Sequence, residues 1–436
     1  MEKSNFRIFS LILISVIICT MITGCFDRRE VDELAYVMAI GLDKGKTNDI
    51  KMTLQMAVPL AFGSGNEGGG EGDKSVLVTT IETPSIVSGL NITNNFLSKQ
   101  INLSHAKVIV FSEELAREGI QKYINSLERF RDVRGNTYLV VSKGSAEEYL
   151  RSVKPVLEVN PAKFFELNLT SYRYTSYTAG SQLLDFFLQQ SSSGSQAVVT
   201  LAATGKYESS DEFSLNGSTY KEKGRDNPLE GDFKAGNIPR VGDIKSEIMG
   251  VAVFDGGKMV GELDGEETSN YLIINGKFKN FYFTLPDPLF DEEYVVLNIN
   301  SGRSPGFRVN MVDEKPIIDL NIRLEGDIIS IQSGENYEDL DKLPILERAV
   351  EEFMKKDMLK FLYKTSREFN CDICGFGKEM KKKFIDWNEW EKFNWPSKYK
   401  NAEFNVNIDF KIRRPGLIVQ SVPVYTTEGE KVMPSD

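Results

Sequence analysis

Only one histidine, His105, occurs among the 436 residues, and only four cysteines. A single imidazole removes most nucleophile and base pairs built on histidine, and it removes histidine-rich metal sites as well. Four cysteines cannot form the dense disulfide framework of a stapled secreted scaffold. Positive charge is also short: the formal net charge is −11. That balance argues against nucleic acid as a partner and against adhesion to anionic headgroups by bulk charge, because both need clustered positive surface. Beyond the first residues, no apolar run approaches the roughly 20 residues that span a bilayer. The expectation is a chain with no catalytic residue, no metal site and no cofactor pocket.

What is present begins at the N-terminus. Lys3 and Arg7 form a short basic start, Ile8 to Ile22 is an almost unbroken apolar run, and the small residues Thr23 and Gly24 precede Cys25. This is the order of an export signal, too short for a comfortable permanent span and followed by the charged Asp27-Arg28-Arg29-Glu30. Ile22-Thr23-Gly24-Cys25 resembles the bacterial lipobox, which makes Cys25 the expected first mature residue and lipid attachment point. Two acyl chains, each buried CH₂ contributing about 0.8 kcal/mol, hold a soluble body on a bilayer where one chain binds only marginally. Cys19 would leave with the signal, so only Cys371 and Cys374 remain as thiols.

With 41% hydrophobic and 26% charged residues the body is globular, and its length suits two or three domains. Val37 to Leu42 reads as a buried strand, and Ile50, Met52, Leu54, Met56 and Val58 alternate with more polar residues as a second. The glycine tract from Gly63 to Gly72 reads as a long hairpin tip; no Gly-Lys-Ser/Thr follows it, which disfavours a phosphate loop. Ile86 to Leu97 has helical spacing, Ala106 to Phe111 is a strand, Glu113 to Phe130 a single amphipathic helix, and Thr137 to Val141 another strand. Residues 145–190 turn mostly helical. The run Tyr172-Arg173-Tyr174-Thr175-Ser176-Tyr177 suits surface or interface packing better than ligand stacking. His105, just before a strand, reads as a structural hydrogen-bonding residue.

Ser191 to Ser195 has linker chemistry, and Tyr207 to Asp243 is polar, glycine-rich and charged, which places a domain boundary here. Beyond lie a hairpin around Asp255-Gly256-Gly257, strands at 277–285, 294–299, 307–311 and 318–325, and one long helix from Leu346 to Phe369. Trp387, Trp390 and Phe393 suggest an aromatic plug under that helix, and Phe404 to Ile412 a last strand. The fold class expected is α+β: a multi-domain mixed α/β chain with sheets covered by helices and a C-terminal sheet packed against one long helix. The expected divisions are a signal at 1–24, a mixed domain at 25–195, a linker at 196–246, a middle segment at 247–290, a sheet-and-helix domain at 291–420 and a tail at 421–436.

Several of these stretches, taken together and in order, resemble a known family. They are Gly24-Cys25-Phe26-Asp27-Arg28-Arg29-Glu30, Ala39-Ile40-Gly41-Leu42-Asp43-Lys44, the helix start Glu113 to Ile120, Gly250 to Phe254, Asp372-Ile373-Cys374-Gly375-Phe376-Gly377, and Ile412 to Gly416. The resemblance is to the Ger(x)C spore germination lipoproteins, the C subunits of nutrient germinant receptors. It implies three mixed α/β domains and a non-enzymatic subunit lipid-anchored on the outer face of the spore inner membrane. It also implies two integral membrane partners, the A and B type receptor subunits.

Cys371 and Cys374 depart from that family, where cysteines are not characteristic of these positions. Their spacing allows a disulfide or redox pair, half of a metal site, or an adventitious pair, and no second cysteine pair exists to complete a zinc site. Two other functions therefore stand beside the receptor subunit: a membrane-tethered thiol oxidoreductase using Cys371 and Cys374, and a substrate-binding lipoprotein serving a transporter.

Overall fold

The structure is a computed structural model that describes residues 2–21, 30–58, 76–153, 157–158, 160–205, 227–418, 421, 424–425, 427 and 431–432. Cys25 and the glycine tract at 63–72 lie outside the described residues. The apolar leader forms a helix, Glu2–Met21. Among the described residues no helix is long and apolar enough to cross a membrane.

Nine strands form the first sheet: β1 (Leu34–Lys44), β2 (Ile50–Ala57), β3 (Val76–Thr83), β4 (Gln100–Asn102), β5 (Val108–Ser112), β6 (Tyr138–Lys143), β7 (Val198–Thr204), β8 (Ser246–Asp255) and β9 (Lys258–Leu263). Their order is β3-β2-β1-β5-β6-β7-β8-β9, with β4 paired to β1 beside that path. The centre, β1, β5, β6 and β7, is parallel, and both outer pairs are antiparallel. A parallel sheet needs cover on both faces, which is why Val108-Ile109-Val110-Phe111 is buried throughout instead of alternating. One face carries Ile109, Phe111, Leu115, Ile124 and Phe186, the other Val108, Val110, Tyr149, Leu150 and Phe165.

The second sheet has the order β10-β11-β12-β13, from β10 (Asn280–Pro286), β11 (Tyr294–Val312), β12 (Lys315–Ile331) and β13 (Glu403–Arg414). The expected alternation appears on β12, where Ile318, Leu320, Ile322 and Leu324 are buried while one face stays wet. The helix Leu343–Tyr363 covers this sheet with Leu346, Val350, Met354, Phe361 and Leu362. Its α-helical part stops at Tyr363, and a π-helical turn, Lys364–Glu368, carries it to one residue before the expected Phe369.

Four local expectations change. The helix read over Glu113 to Phe130 is two, Glu113–Glu118 and Gln121–Arg129, because Gly119 takes φ +133° and the Ile120 N–H turns to the Gly257 carbonyl at 2.7 Å. The strands read separately at 294–299 and 307–311 are one strand whose register shifts between Ser301 and Gly306 absorb the polar Ser-Gly-Arg-Ser-Pro-Gly stretch. Trp387 stands exposed, whereas Trp390 fills the plug. The stretch 196–246 read as linker contains β7, whose Val198 to Ala203 is fully buried between β6 and β8. The expected boundaries at 195/196 and 246/247 thus fall within one sheet. The middle segment 247–290 divides, β8 and β9 entering the first sheet and β10 the second.

Candidate functional site

The first sheet and the C-terminal sheet meet at the loop Cys371 to Gly377. Asp372 sits at its centre with 1% of its surface exposed. Its Oδ1 accepts from the backbone N–H of Gly375 at 2.7 Å and Phe376 at 3.1 Å; its Oδ2 accepts from Gly377 N–H at 2.6 Å and from Trp395 Nε1 at 2.9 Å. The carboxylate thereby satisfies the free N–H groups that open the helix Phe376–Lys381. Burial pushes the carboxyl up to about 6, with the four donors pulling the other way.

The same loop grips the segment expected to be a flexible linker. The Gln196 N–H donates to the Asp372 carbonyl at 2.9 Å, and Trp390 Nε1 donates to Ser193 Oγ at 2.7 Å. Gly194 and Gly377 pack back to back: a Cβ on Gly377 would fall 2.8 Å from Gly194 Cα and 2.5 Å from Trp395. Glycine is needed there for close approach, and Gly375 at φ +78° for the turn. Ser195 and Gln196 are buried, so this serine-rich stretch is a docked strap. Nearby, Lys364 reaches Glu267 at 2.8 Å, tying the end of the long helix to the helix Gly265–Ile274.

Cys371 and Cys374 flank Asp372 as free, buried thiols. Burial pushes the Cys371 thiol up to about 12 and the Cys374 thiol well above its ordinary value. A redox or nucleophilic cysteine needs the opposite, an exposed thiol with a depressed pKa. The sequence reading placed its chemical interest on these cysteines; the side chain that organises the loop is Asp372 between them. Its signal was available, an acidic residue three positions before a glycine at a helix start.

At the C-terminal ends of the parallel strands, where ligands of α/β sheets commonly sit, Lys143, Lys234 and Arg117 converge on Glu262 at 3.0, 2.8 and 3.9 Å. Burial pushes the Glu262 carboxyl up, but the two lysines outweigh it and hold it below the usual range. These cations are committed to an internal carboxylate. A half-open apolar depression lies where the two sheets approach, walled by Phe281, Phe283, Ile273 and Met354, with Tyr177 and Asn270 at its polar side. Tyr177 thus belongs to an interior wall, while Tyr174 from the same aromatic run is exposed. His105 lies at the opposite, N-terminal end of the strands, its ring 4.8 Å from that of Tyr36 in an edge-on contact.

Residues 27–204 match the family model described as spore germination protein N-terminal domain, and residues 249–416 the one described as spore germination B3/GerAC like, C-terminal. The chain is 25% identical over 415 residues to spore germination protein KC of Bacillus subtilis, covering 93% of this chain and 95% of that protein. It is 21% identical to spore germination protein GerQC of Bacillus cereus, over 93% of this chain and 98% of that one. Among solved structures, that of the GerBC protein superposes with a TM-score of 0.51 at 16% identity, covering 86% of this chain and 96% of its own. That likeness places the same mixed α/β fold in both.

Proposed function

The chain belongs to the Ger(x)C family of spore germinant receptor subunits, and from that premise we propose that it is a lipid-tethered, non-catalytic subunit required to assemble a nutrient germinant receptor. In this reading Cys25 carries the lipid, the body lies on the outer face of the spore inner membrane, and the partners are two integral membrane subunits of A and B type. The observation that carries it is the Asp372 junction, which fixes the two sheets as one body through a buried carboxylate, a docked strap and paired glycines. A single body held at a bilayer suits a part that presents fixed surfaces to membrane partners. The thiol oxidoreductase reading loses its support with the burial and raised pKa of Cys371 and Cys374.

The test is a pull-down of the lipidated chain from spore membranes with identification of what accompanies it. Two integral membrane subunits are expected in the eluate. Cys25→Ala should move the chain out of the membrane fraction on a high-salt wash and reduce the co-purified subunits, since two-chain anchoring is lost. Full retention of the Cys25→Ala chain in washed membranes defeats the tether, and an eluate free of integral membrane subunits defeats the assembly role.

A further inference from the structure

At the N-terminal ends of β5 and β6 an open cleft of about 540 Å³ is lined by His105, Lys107, Arg134, Tyr138, Glu166 and Gln182 among others. Three of these six carry or accept positive charge and one is acidic. Lys107 is held by Glu166 at 3.1 Å, and Glu166 is approached on its other oxygen by Lys163 at 3.7 Å. The Lys107 ammonium beside it holds the Glu166 carboxyl below the usual range. Arg134 differs: it lines the cleft, and among the described residues it has no ion-pair partner. A guanidinium, an ammonium, an imidazole and the neutral side chains of Asn136 and Gln182 thus line one polar void. That arrangement matches an anion with many acceptor lone pairs spread over a tetrahedron.

We propose that this cleft binds a phosphate group, a monoester or diester, through Arg134, Lys107 and His105. Two sources share that chemistry, the headgroup of an anionic phospholipid and a soluble phosphate. The headgroup is within reach: His105 packs on Tyr36, eleven residues after Cys25, and eleven extended residues cover at most about 40 Å. A net negative chain carrying local positive charge on its tethered end would be oriented by an anionic leaflet. Only the headgroup source rests on the Cys25 anchor; the phosphate site stands without it.

The experiment is calorimetric titration of the full chain, purified in detergent, with inorganic phosphate and separately with dihexanoyl phosphatidylglycerol below its micelle concentration, both in chloride buffer. Saturable binding is expected. Arg134→Gln, an exposed substitution, should weaken it by at least about tenfold with an unchanged melting curve, the loss of a charge-assisted contact. Glu166→Gln should tighten it, because it frees Lys107 and removes the opposing charge. The opposite signs of these two variants distinguish a site from general stickiness. Tighter binding of the lipid than of phosphate assigns the headgroup, and equal or weaker binding assigns a soluble phosphate. Absence of saturable binding to either probe, or Arg134→Gln binding as the parent does, overturns the proposal, and the detergent format keeps that result separate from any failure of the anchor.

Discussion

Asp372 is held by four N–H donors yet carries a carboxyl pushed up to about 6, so the folded state binds its proton more tightly than an open chain does. The sign follows: this group's favourable contribution is full below the ordinary aspartate range and is lost as pH rises through about 6. Asp372→Asn cannot titrate, and it turns an amide NH₂ toward a cradle made of donors. At neutral pH it should destabilise by about 1–3 kcal/mol. The stability difference between the parent and Asp372→Asn should then widen from pH 7 to pH 4, by at most about 3 kcal/mol. Calorimetric melts of both chains at matched pH read this directly, and a difference independent of pH removes the buried-carboxyl argument. The sequence supplied this residue inside a motif but not its depth. Burial at position 372 depends on Trp395 and on the strap at 191–197, both far along the chain, and local spacing drew attention to the neighbouring cysteines.

For elements, periodicity was a good guide to existence and a poor one to ends. The helix Leu343–Tyr363 was expected from its apolar stripe, and the structure puts Phe361 at full burial while Phe353 from the same stripe is only partly covered. Spacing gives direction, not depth. The helix also guards the free edge of β13: Glu351 accepts from the Phe410 N–H and Glu347 from the Ile412 N–H, each at 2.9 Å, which blocks strand addition at an otherwise open edge. No one-dimensional pattern announces a carboxylate that caps a strand across 59 or 65 residues. Phe361→Ala should cost about 3–5 kcal/mol and depress receptor accumulation in spores. Lys360→Ala, on the exposed side and 4.0 Å from Asp357, should change stability by less than about 1 kcal/mol. Equal melting temperatures and equal receptor levels for the two variants mean that the helix does not pack by this face.

Across the whole molecule, the sequence divides the chain at a polar stretch, while the interior ignores that division. Strand and helix alternation, the mixed α/β class and the C-terminal sheet under a long helix were all readable from pattern. The continuity of the core was not, because it depends on which strands a sheet recruits. One buried cluster runs from Val251, Val253 and Leu263 of the first sheet through Leu272 and Ile274 to Leu297 and Phe410 of the second and Leu346 of the helix that covers it. β7 and β8, which flank the stretch read as linker, pair with each other and so keep this core continuous. The C-terminal family match, residues 249–416, therefore cuts through β8 and strands Val251 and Val253 without β7. A fragment of those residues would expose both a sheet edge and part of the common core, so it should show no cooperative melt and should associate. The full chain in detergent should unfold in one calorimetric transition whose van't Hoff and calorimetric enthalpies agree. Two resolved transitions, with one reproduced by the isolated 249–416 fragment, would establish independent domains and undo the single rigid body on which the assembly role is argued.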